Sequence, residues 1–189
     1  VAKRIALAYV GTVVPDRSPF NDDPAFSRAG NMFQENFLAA MKESGLPPSL
    51  ILSQRPLRAF PRAPILWVSA GQTELPNNLS VNLLPFINLP ILRPLIVGLA
   101  VVAHLIRWSW QQRKAACKVV YTYNLSEPPS LFTLIGTRLI RAKLVASLND
   151  IYIPGALVPR TLSRRLDFWL QKKIIPRLDG LVVVNKRII

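Results

Sequence analysis

The sequence predicts an α/β fold with a doubly wound, mostly parallel sheet of the Rossmann-like type, in one domain that spans residues 1–189. Apolar runs of strand length alternate with stretches of helix length almost throughout, and the segments between strands are long enough to hold crossover helices. The apolar runs are also continuous, which is typical of parallel strands buried on both faces. A chain of 189 residues can bury one sufficient hydrophobic core.

The first predicted elements are a strand and a helix. The apolar run at 5–10 predicts a strand that ends at Gly11 and Thr12, and a turn-rich loop follows it. Ser27 carries a hydroxyl suited to cap a helix, and apolar residues recur behind it at helical spacing. Gly45 is typical of a helix end, so we expect the helix to stop there.

The middle of the chain predicts two more strands and a long helix. Short apolar runs at 50–52 and 65–68 are the second and third predicted strands, and the proline-rich region 76–94 is expected to be irregular. The long helix is predicted from about Leu92 to Lys114, where basic residues suit its last turn. Its apolar run is shorter than the roughly 20 residues of a membrane span, so we expect no bilayer crossing.

The remaining elements continue the alternation. Strands are predicted at 118–123, 144–148 and 181–184, with helices at 130–141 and 162–174 between them. In such sheets ligands bind beyond the carboxyl ends of the strands. The loops at 11–12, 123–124 and 149–150 are therefore the predicted functional sites.

The motifs and residue types of the sequence exclude several kinds of chemistry. Neither GxGxxG nor the P-loop spacing occurs, which argues against dehydrogenases and kinases. Cys117 and His104 are the only cysteine and histidine, too few for a zinc site, so no metal is expected. A single cysteine also excludes an intrachain disulfide and suits a reducing compartment, which predicts cytoplasmic exposure.

Carboxylates give one candidate for catalysis. Asp150 follows an apolar strand directly, and with Asn149 it is the predicted catalytic pair, able to accept a proton or orient a hydroxyl. The alternative is that Asp150 caps a turn. Glu35 and Glu43 are predicted to lie on a solvated face of the first helix.

Basic residues are concentrated in the second half. Residues 81–189 hold 16 basic and 4 acidic side chains, against 8 and 6 in residues 1–80. Such asymmetry predicts an anionic partner. A membrane surface, a merely solvated basic surface and nucleic acid stay open as explanations, but no nucleic-acid motif is found and no nucleic acid is expected. The predicted membrane or anion surface consists of Arg107, Trp108, Trp110, Arg113, Arg164, Arg165, Lys172 and Lys173, with Trp169 beside them.

One family resemblance joins these observations. The stretch KVVYTYN from Lys118, a proline-led helix, KLVASLND, a basic helix and LDGLVVVNKRI follow one another in order. This pattern resembles the N-terminal domain of family 4 retaining glycosyltransferases, which have the GT-B fold, and the likeness covers roughly residues 3–189. Where many members carry His-Asp, this chain has Asn149 and Asp150, and a single glycine, Gly11, follows its first strand.

The resemblance implies an acceptor-binding domain for sugar transfer. The acceptor, a sugar or a lipid-linked molecule, is expected against Gly11, Thr12, Tyr123, Asn124, Asn149 and Asp150. No cofactor is expected in this domain, because the family binds its nucleotide-sugar donor mainly in a C-terminal domain. Residues 1–189 lack such a domain. We therefore expect them to be inactive alone. Peripheral attachment to the inner face of the membrane fits the basic surface. The alternatives are half of a GT-B-like nucleotide-sugar epimerase or hydrolase, and a non-catalytic binding domain.

Overall fold

A computed structural model describes residues 4–15, 22–125, 129–148 and 162–183 of the chain. Its main feature is a seven-stranded, mostly parallel sheet with flanking helices. The α/β, Rossmann-like prediction is therefore confirmed at this level. The predicted catalytic residues Asn149 and Asp150 lie outside the described residues.

The described residues form nine strands and four α-helices. The strands are β1 (Ile5–Gly11), β2 (Leu50–Ser53), β3 (Trp67–Val68), β4 (Gly71–Glu74), β5 (Ser80–Leu83), β6 (Phe86–Ile87), β7 (Cys117–Tyr123), β8 (Lys143–Leu148) and β9 (Gly180–Val183). The helices are α1 (Arg28–Glu43), α2 (Leu92–Gln111), α3 (Pro129–Leu139) and α4 (Leu162–Ile174), which runs into a 3-10 turn (Ile175–Arg177).

The main sheet has the strand order β4-β5-β2-β1-β7-β8-β9. All neighbouring pairs from β5 to β9 are parallel, and the edge strand β4 is antiparallel to β5. Counted along the chain, the six parallel strands have the order 3-2-1-4-5-6 of the Rossmann-like sheet. The chain reverses its direction across the sheet between β1 and β7, and this switch point is where such sheets bind ligands.

The third predicted strand is present but is not part of the main sheet. The run at 65–68 yields only β3, which pairs antiparallel with β6 in a separate two-stranded sheet. The third parallel strand is β5, in the region predicted to be irregular. β5 is four residues long and alternates apolar and polar side chains, so no continuous apolar run marks it.

Two hydrophobic clusters cover opposite faces of the sheet, because successive strand residues point to opposite sides. Ala8 of β1 belongs to the cluster that includes the buried side chains of α2, α3 and α4. Tyr9, the next residue, belongs to the cluster that contains Leu38 of α1. Both clusters pack directly on β1 and β7, so the switch point lies between two buried layers.

Helix α1 has the predicted ends but a different inner face. The Ser27 hydroxyl accepts a hydrogen bond from the Gly30 N–H at 3.1 Å, and Gly45 adopts φ +79° just beyond the last turn. The fully buried residues of the helix are Asn31, Gln34 and Leu38. In the apolar stripe that the sequence predicts, Phe33, Phe37 and Met41 are only half-buried and Ala40 is exposed. Two amide side chains are thus directed at the sheet.

Helix α2 corrects the prediction for Trp108, which was assigned to the membrane or anion surface. Trp108 is 2% exposed and its indole N–H donates to the Ser49 hydroxyl at 2.9 Å. The reason is helical spacing: Trp108 shares the inward side of α2 with Val97, Val101 and Leu105, all buried against the sheet. Trp110, two positions on, is 78% exposed.

The length and composition of α2 alone would allow it to cross a membrane, with a mean hydropathy of 1.4. One third of its apolar window is nevertheless buried inside the domain. A helix whose inner side packs in a core in this way is part of the domain layer, and only its outer side is available to other molecules.

Candidate functional site

A cleft of about 320 Å³ lies at the carboxyl ends of β1 and β7, at the switch point of the sheet. Three of the four described residues predicted to bind the acceptor line it: Thr12, Tyr123 and Asn124. The other described lining residues are Ala25, Phe26, Ser27, Gly30, Asn31, Gln34, Gln54, Pro56, Leu57 and Arg93. The lining combines amide and hydroxyl groups with aromatic rings and one guanidinium.

The loop after β1 is held by Gln34. Its side-chain oxygen accepts hydrogen bonds from the Thr12 N–H at 2.9 Å and the Tyr9 hydroxyl at 3.1 Å. Its amide nitrogen donates to the Thr12 hydroxyl and to the Gly30 carbonyl, both at 3.1 Å. Both ends of one buried side chain therefore join helix α1 to the floor of the cleft.

The next residues of the loop are fixed in the same manner. The Asn31 oxygen accepts from the Val14 N–H, and the Asn31 nitrogen donates to the Val14 carbonyl, each at 2.9 Å. The Ser53 hydroxyl donates to the Val13 carbonyl at 2.6 Å. These contacts define residues 12–14 without any contribution from a ligand.

This arrangement explains how the loop forms without a glycine-rich motif. In dinucleotide-binding sheets, glycines let the backbone N–H groups of this loop approach a pyrophosphate. Here the N–H groups of Thr12 and Val14 already donate to Gln34 and Asn31. These two backbone N–H groups are consequently not available to a pyrophosphate.

Gly11 serves the same packing. A Cβ atom on Gly11 would lie 2.4 Å from the Gln34 oxygen and 2.7 Å from the Tyr9 ring. The glycine is required by this close approach, and it lines a small cavity beside the main cleft. Gly11 was predicted to bind the acceptor, but its role is to let Gln34 and Tyr9 pack closely against the backbone.

Arg93 and Gln54 form the wall opposite β7. The Arg93 guanidinium donates to the carbonyls of Leu57 and Arg55, and it lies 4.7 Å above the centre of the Phe86 ring. With its amide oxygen turned toward Arg93, Gln54 accepts from Nε at 2.9 Å and from Nη2 at 2.7 Å. The cation is thereby fixed at the first turn of α2.

Tyr123 and Asn124 form the wall at the end of β7. Asn124 has φ +59°, a left-handed conformation that asparagine tolerates, and its N–H donates to the Ser147 carbonyl at 3.0 Å. The Tyr123 ring packs on Phe33 with 5.9 Å between ring centres. The two residues turn the chain away from the sheet with their side chains at the cleft.

Two tyrosines lie beneath the cleft. The rings of Tyr9 and Tyr121 are stacked with 5.7 Å between their centres. Burial raises the pKa of both phenols above the ordinary value of 10.0, and for Tyr9 the neighbouring Tyr121 and Tyr123 raise it further. Both phenols are thus held in the neutral form.

These tyrosines predict a loss of stability in alkali. Because the folded pKa values are raised, the unfolded chain releases these protons first, so the contribution of the two tyrosines to stability is full below their ordinary pKa of 10.0 and is lost as the pH rises above it. The slope should approach about 1.4 kcal/mol per pH unit for each tyrosine. Urea unfolding between about pH 8 and about pH 11 measures it. In the Tyr121→Phe variant the slope should be shallower, and an unchanged slope would contradict this explanation.

The other residues that the sequence analysis singled out lie outside the cleft. Arg107, Trp110, Arg113, Arg165, Lys172 and Lys173 are exposed, as is Trp169, whereas the side chain of Arg164 lies outside the described part of the chain. Arg107 and Trp110 lie on α2, Arg113 lies just beyond its end, and the others lie on α4. Helix α3 packs against both α2 and α4. Glu43 is exposed, but Glu35 is half-buried and accepts from the Asn31 amide at 2.9 Å. The His104 ring makes a hydrogen bond with the Ala100 carbonyl within α2.

Sequence reasoning missed the polar residues that shape the cleft. Asn31 and Gln34 carried one detectable signal: these two amides stand three residues apart in α1, which is helical spacing. Gln54 and Arg93 carried none, because long-range folding brings them together. The described lining residues include no Asp, Glu, His or Cys. No protein-family model and no curated protein gives a significant match to this chain.

Proposed function

We propose that this domain binds the acceptor in a sugar transfer. The sheet would be the doubly wound half of a GT-B architecture, and a C-terminal domain of the same enzyme would bind the nucleotide-sugar donor. The observation that carries the proposal is the amide-lined and hydroxyl-lined cleft at the switch point, between Thr12 directly after β1 and Asn124 directly after β7.

The chemistry of the lining favours a polyhydroxylated ligand. Thr12, Asn124 and Ser27 offer neutral donors and acceptors of the kind that pair with sugar hydroxyls, and Tyr123 and Phe26 offer aromatic surface. A diphosphate is disfavoured at this loop because the N–H groups of Thr12 and Val14 are already engaged. Such a site suits an acceptor better than a nucleotide.

The transfer itself would occur between the two domains, with retention at the anomeric carbon. The donor's leaving phosphate would be stabilised by groups of the other domain. Asn149 and Asp150 follow β8 in the sequence, and we retain them as the groups that would orient the attacking hydroxyl or accept its proton. The acceptor side would then be provided by this chain and the donor side by its partner domain.

The test is a titration of the isotope-labelled chain followed by NMR. A panel of methyl hexosides and alkyl-phosphate-linked hexoses should shift the amide resonances of Thr12, Tyr123 and Asn124, and UDP and GDP should not. The Asn124→Gly variant removes the side chain but keeps the positive φ. Loss of its hydrogen bonds should weaken binding of any hexoside that responds by about tenfold.

Asn78→Gly is the matched control. Asn78 also has a positive φ, 55°, but it stands in the turn between β4 and β5, away from the cleft. Its replacement should leave hexoside binding unchanged. If UDP or GDP shifts the cleft resonances while every hexoside fails, the domain binds the nucleotide and the acceptor assignment is wrong.

A further inference from the structure

The outer face of α2 carries an exposed apolar stripe. Its members recur at helical spacing and are 39–78% exposed. We define the α2 stripe as Leu92, Leu95, Leu99, Ile106 and Trp110. From Leu92 to Trp110 it extends for about 27 Å along the helix at 1.5 Å per residue.

The neighbouring helix α3 widens this surface. Ile135 is 41% and Leu139 is 63% exposed. Helices α2 and α3 pack closely because both have a glycine at the contact: a Cβ on Gly98 would lie 2.1 Å from the Phe132 ring, and one on Gly136 would lie 3.0 Å from Leu105. The stripe is therefore part of a broad apolar surface, larger than the scattered apolar residues of an ordinary protein surface.

The charged residues of the segment that carries the stripe all have one sign. No Asp or Glu occurs in the sequence between Glu74 and Glu127, whereas Arg107, Arg113 and Lys114 are exposed at the C-terminal end of α2. An apolar helix face with a tryptophan and flanking cations matches the boundary between lipid headgroups and acyl chains. Each cation near anionic lipid adds to the binding.

The same charges argue against a second copy of this chain as the occupant. In a two-fold dimer the same patch lies on both sides of the interface. Such an interface would hold the cations of both copies, and this segment has no acidic residue to compensate them. An anionic lipid surface meets both requirements, apolar contact and negative charge.

We propose that α2 docks this domain on an anionic lipid bilayer, with the stripe inserted at the headgroup boundary. The inner side of α2 stays packed on the sheet through Val97, Val101 and Leu105, so the helix lies along the surface instead of crossing it. Exposed Trp110 would be seated among headgroups.

Docking by α2 also orients the cleft. Arg93 stands on the first turn of α2 and lines the cleft, while Leu92 and Leu95 on either side of it are exposed in the stripe. The cleft consequently borders the lipid-facing surface. This consequence rests on the proposed function: the acceptor is then a lipid-linked molecule whose head reaches the cleft from the bilayer.

Co-sedimentation of the whole chain with vesicles tests the docking. Phosphatidylglycerol vesicles should retain the chain at low salt, phosphatidylcholine vesicles should retain far less, and added salt should reduce retention. Leu99→Glu, in the middle of the stripe, should lower the partition coefficient on phosphatidylglycerol by about tenfold or more. Ile106→Ser tests the stripe without adding a negative charge and should lower retention in the same direction.

The matched control is Met32→Glu. Met32 is 59% exposed and Leu99 is 63% exposed, and Met32 stands on α1, whose core cluster lies on the other face of the sheet. Both variants change the net charge equally, so only a docking surface on α2 separates them. Circular dichroism confirms that each variant is folded before sedimentation.

The outcomes distinguish the proposals. Equal loss in both glutamate variants would reduce the effect to net charge and overturn docking by α2, as would failure of phosphatidylglycerol to retain the chain. A dimer in light scattering that Leu99→Glu dissociates would make a second copy the occupant and would also overturn it. Asn124→Gly should bind vesicles normally, so failure of the cleft and failure of the docking surface remain separate results.

Discussion

Replacing Trp108 with alanine should lower the free energy of unfolding by about 3–5 kcal/mol, the usual range for a large aromatic side chain lost from a core. Trp108 is 2% exposed, packs in the cluster between α2 and the sheet, and donates its indole N–H to Ser49. Alanine would leave a cavity there and would leave the Ser49 hydroxyl without this donor. Urea unfolding followed by circular dichroism measures the loss.

Trp110→Ala is the control for this prediction. Trp110 is two positions away on the same helix and 78% exposed, so its replacement should change stability by less than about 0.5 kcal/mol. Trp108→Phe should fall between the two, because it keeps most of the apolar volume and loses the hydrogen bond to Ser49. Equal losses in the two alanine variants would contradict the assignment of Trp108 to the core.

Replacing Gln34 with alanine should lower the free energy of unfolding by about 3 kcal/mol. The substitution leaves the buried Tyr9 hydroxyl and the Thr12 N–H without the oxygen that accepts from both. Each unpaired buried group costs about 1–3 kcal/mol. Since Thr12 lines the cleft, the same variant should also weaken hexoside binding.

Asn36→Ala separates this effect from any change in helix propensity. Asn36 is exposed on the same helix, and its replacement should alter stability by no more than about 0.5 kcal/mol. Gly11→Ala should resemble Gln34→Ala, because its Cβ would lie 2.4 Å from the Gln34 oxygen and displace it. If Gln34→Ala unfolds at the same urea concentration as Asn36→Ala, the loop after β1 is not held by this side chain.

Most elements could be read from local patterns in the sequence. Strand β1 is a continuous apolar run and the central residues of β7 and β8 are apolar, as in buried parallel strands. The Ser27 cap and Gly45 terminus of α1 depend on groups within a few residues. Strand β5 could not be read in this way. It is short, lies beside the antiparallel edge strand β4, and is specified by pairing with β2 rather than by its own hydrophobicity.

The same distinction between local patterns and long-range contacts applies to the candidate site. The sequence by itself determined that the functional loops follow β1 and β7, because parallel strands direct their carboxyl ends to one edge and Thr12, Tyr123 and Asn124 stand at those ends. It also determined the basic charge of the second half.

Only the tertiary structure decided what surrounds those loops. Gln34 and Asn31 contact the first loop across 17 to 22 residues of sequence, and Arg93 contacts Leu57 across 36. Likewise, the two tryptophans of α2 differ in burial because the sheet covers one side of the helix. Contacts between residues so far apart in the sequence depend on how helices pack on the sheet, and the local spacing of residues holds no information about them.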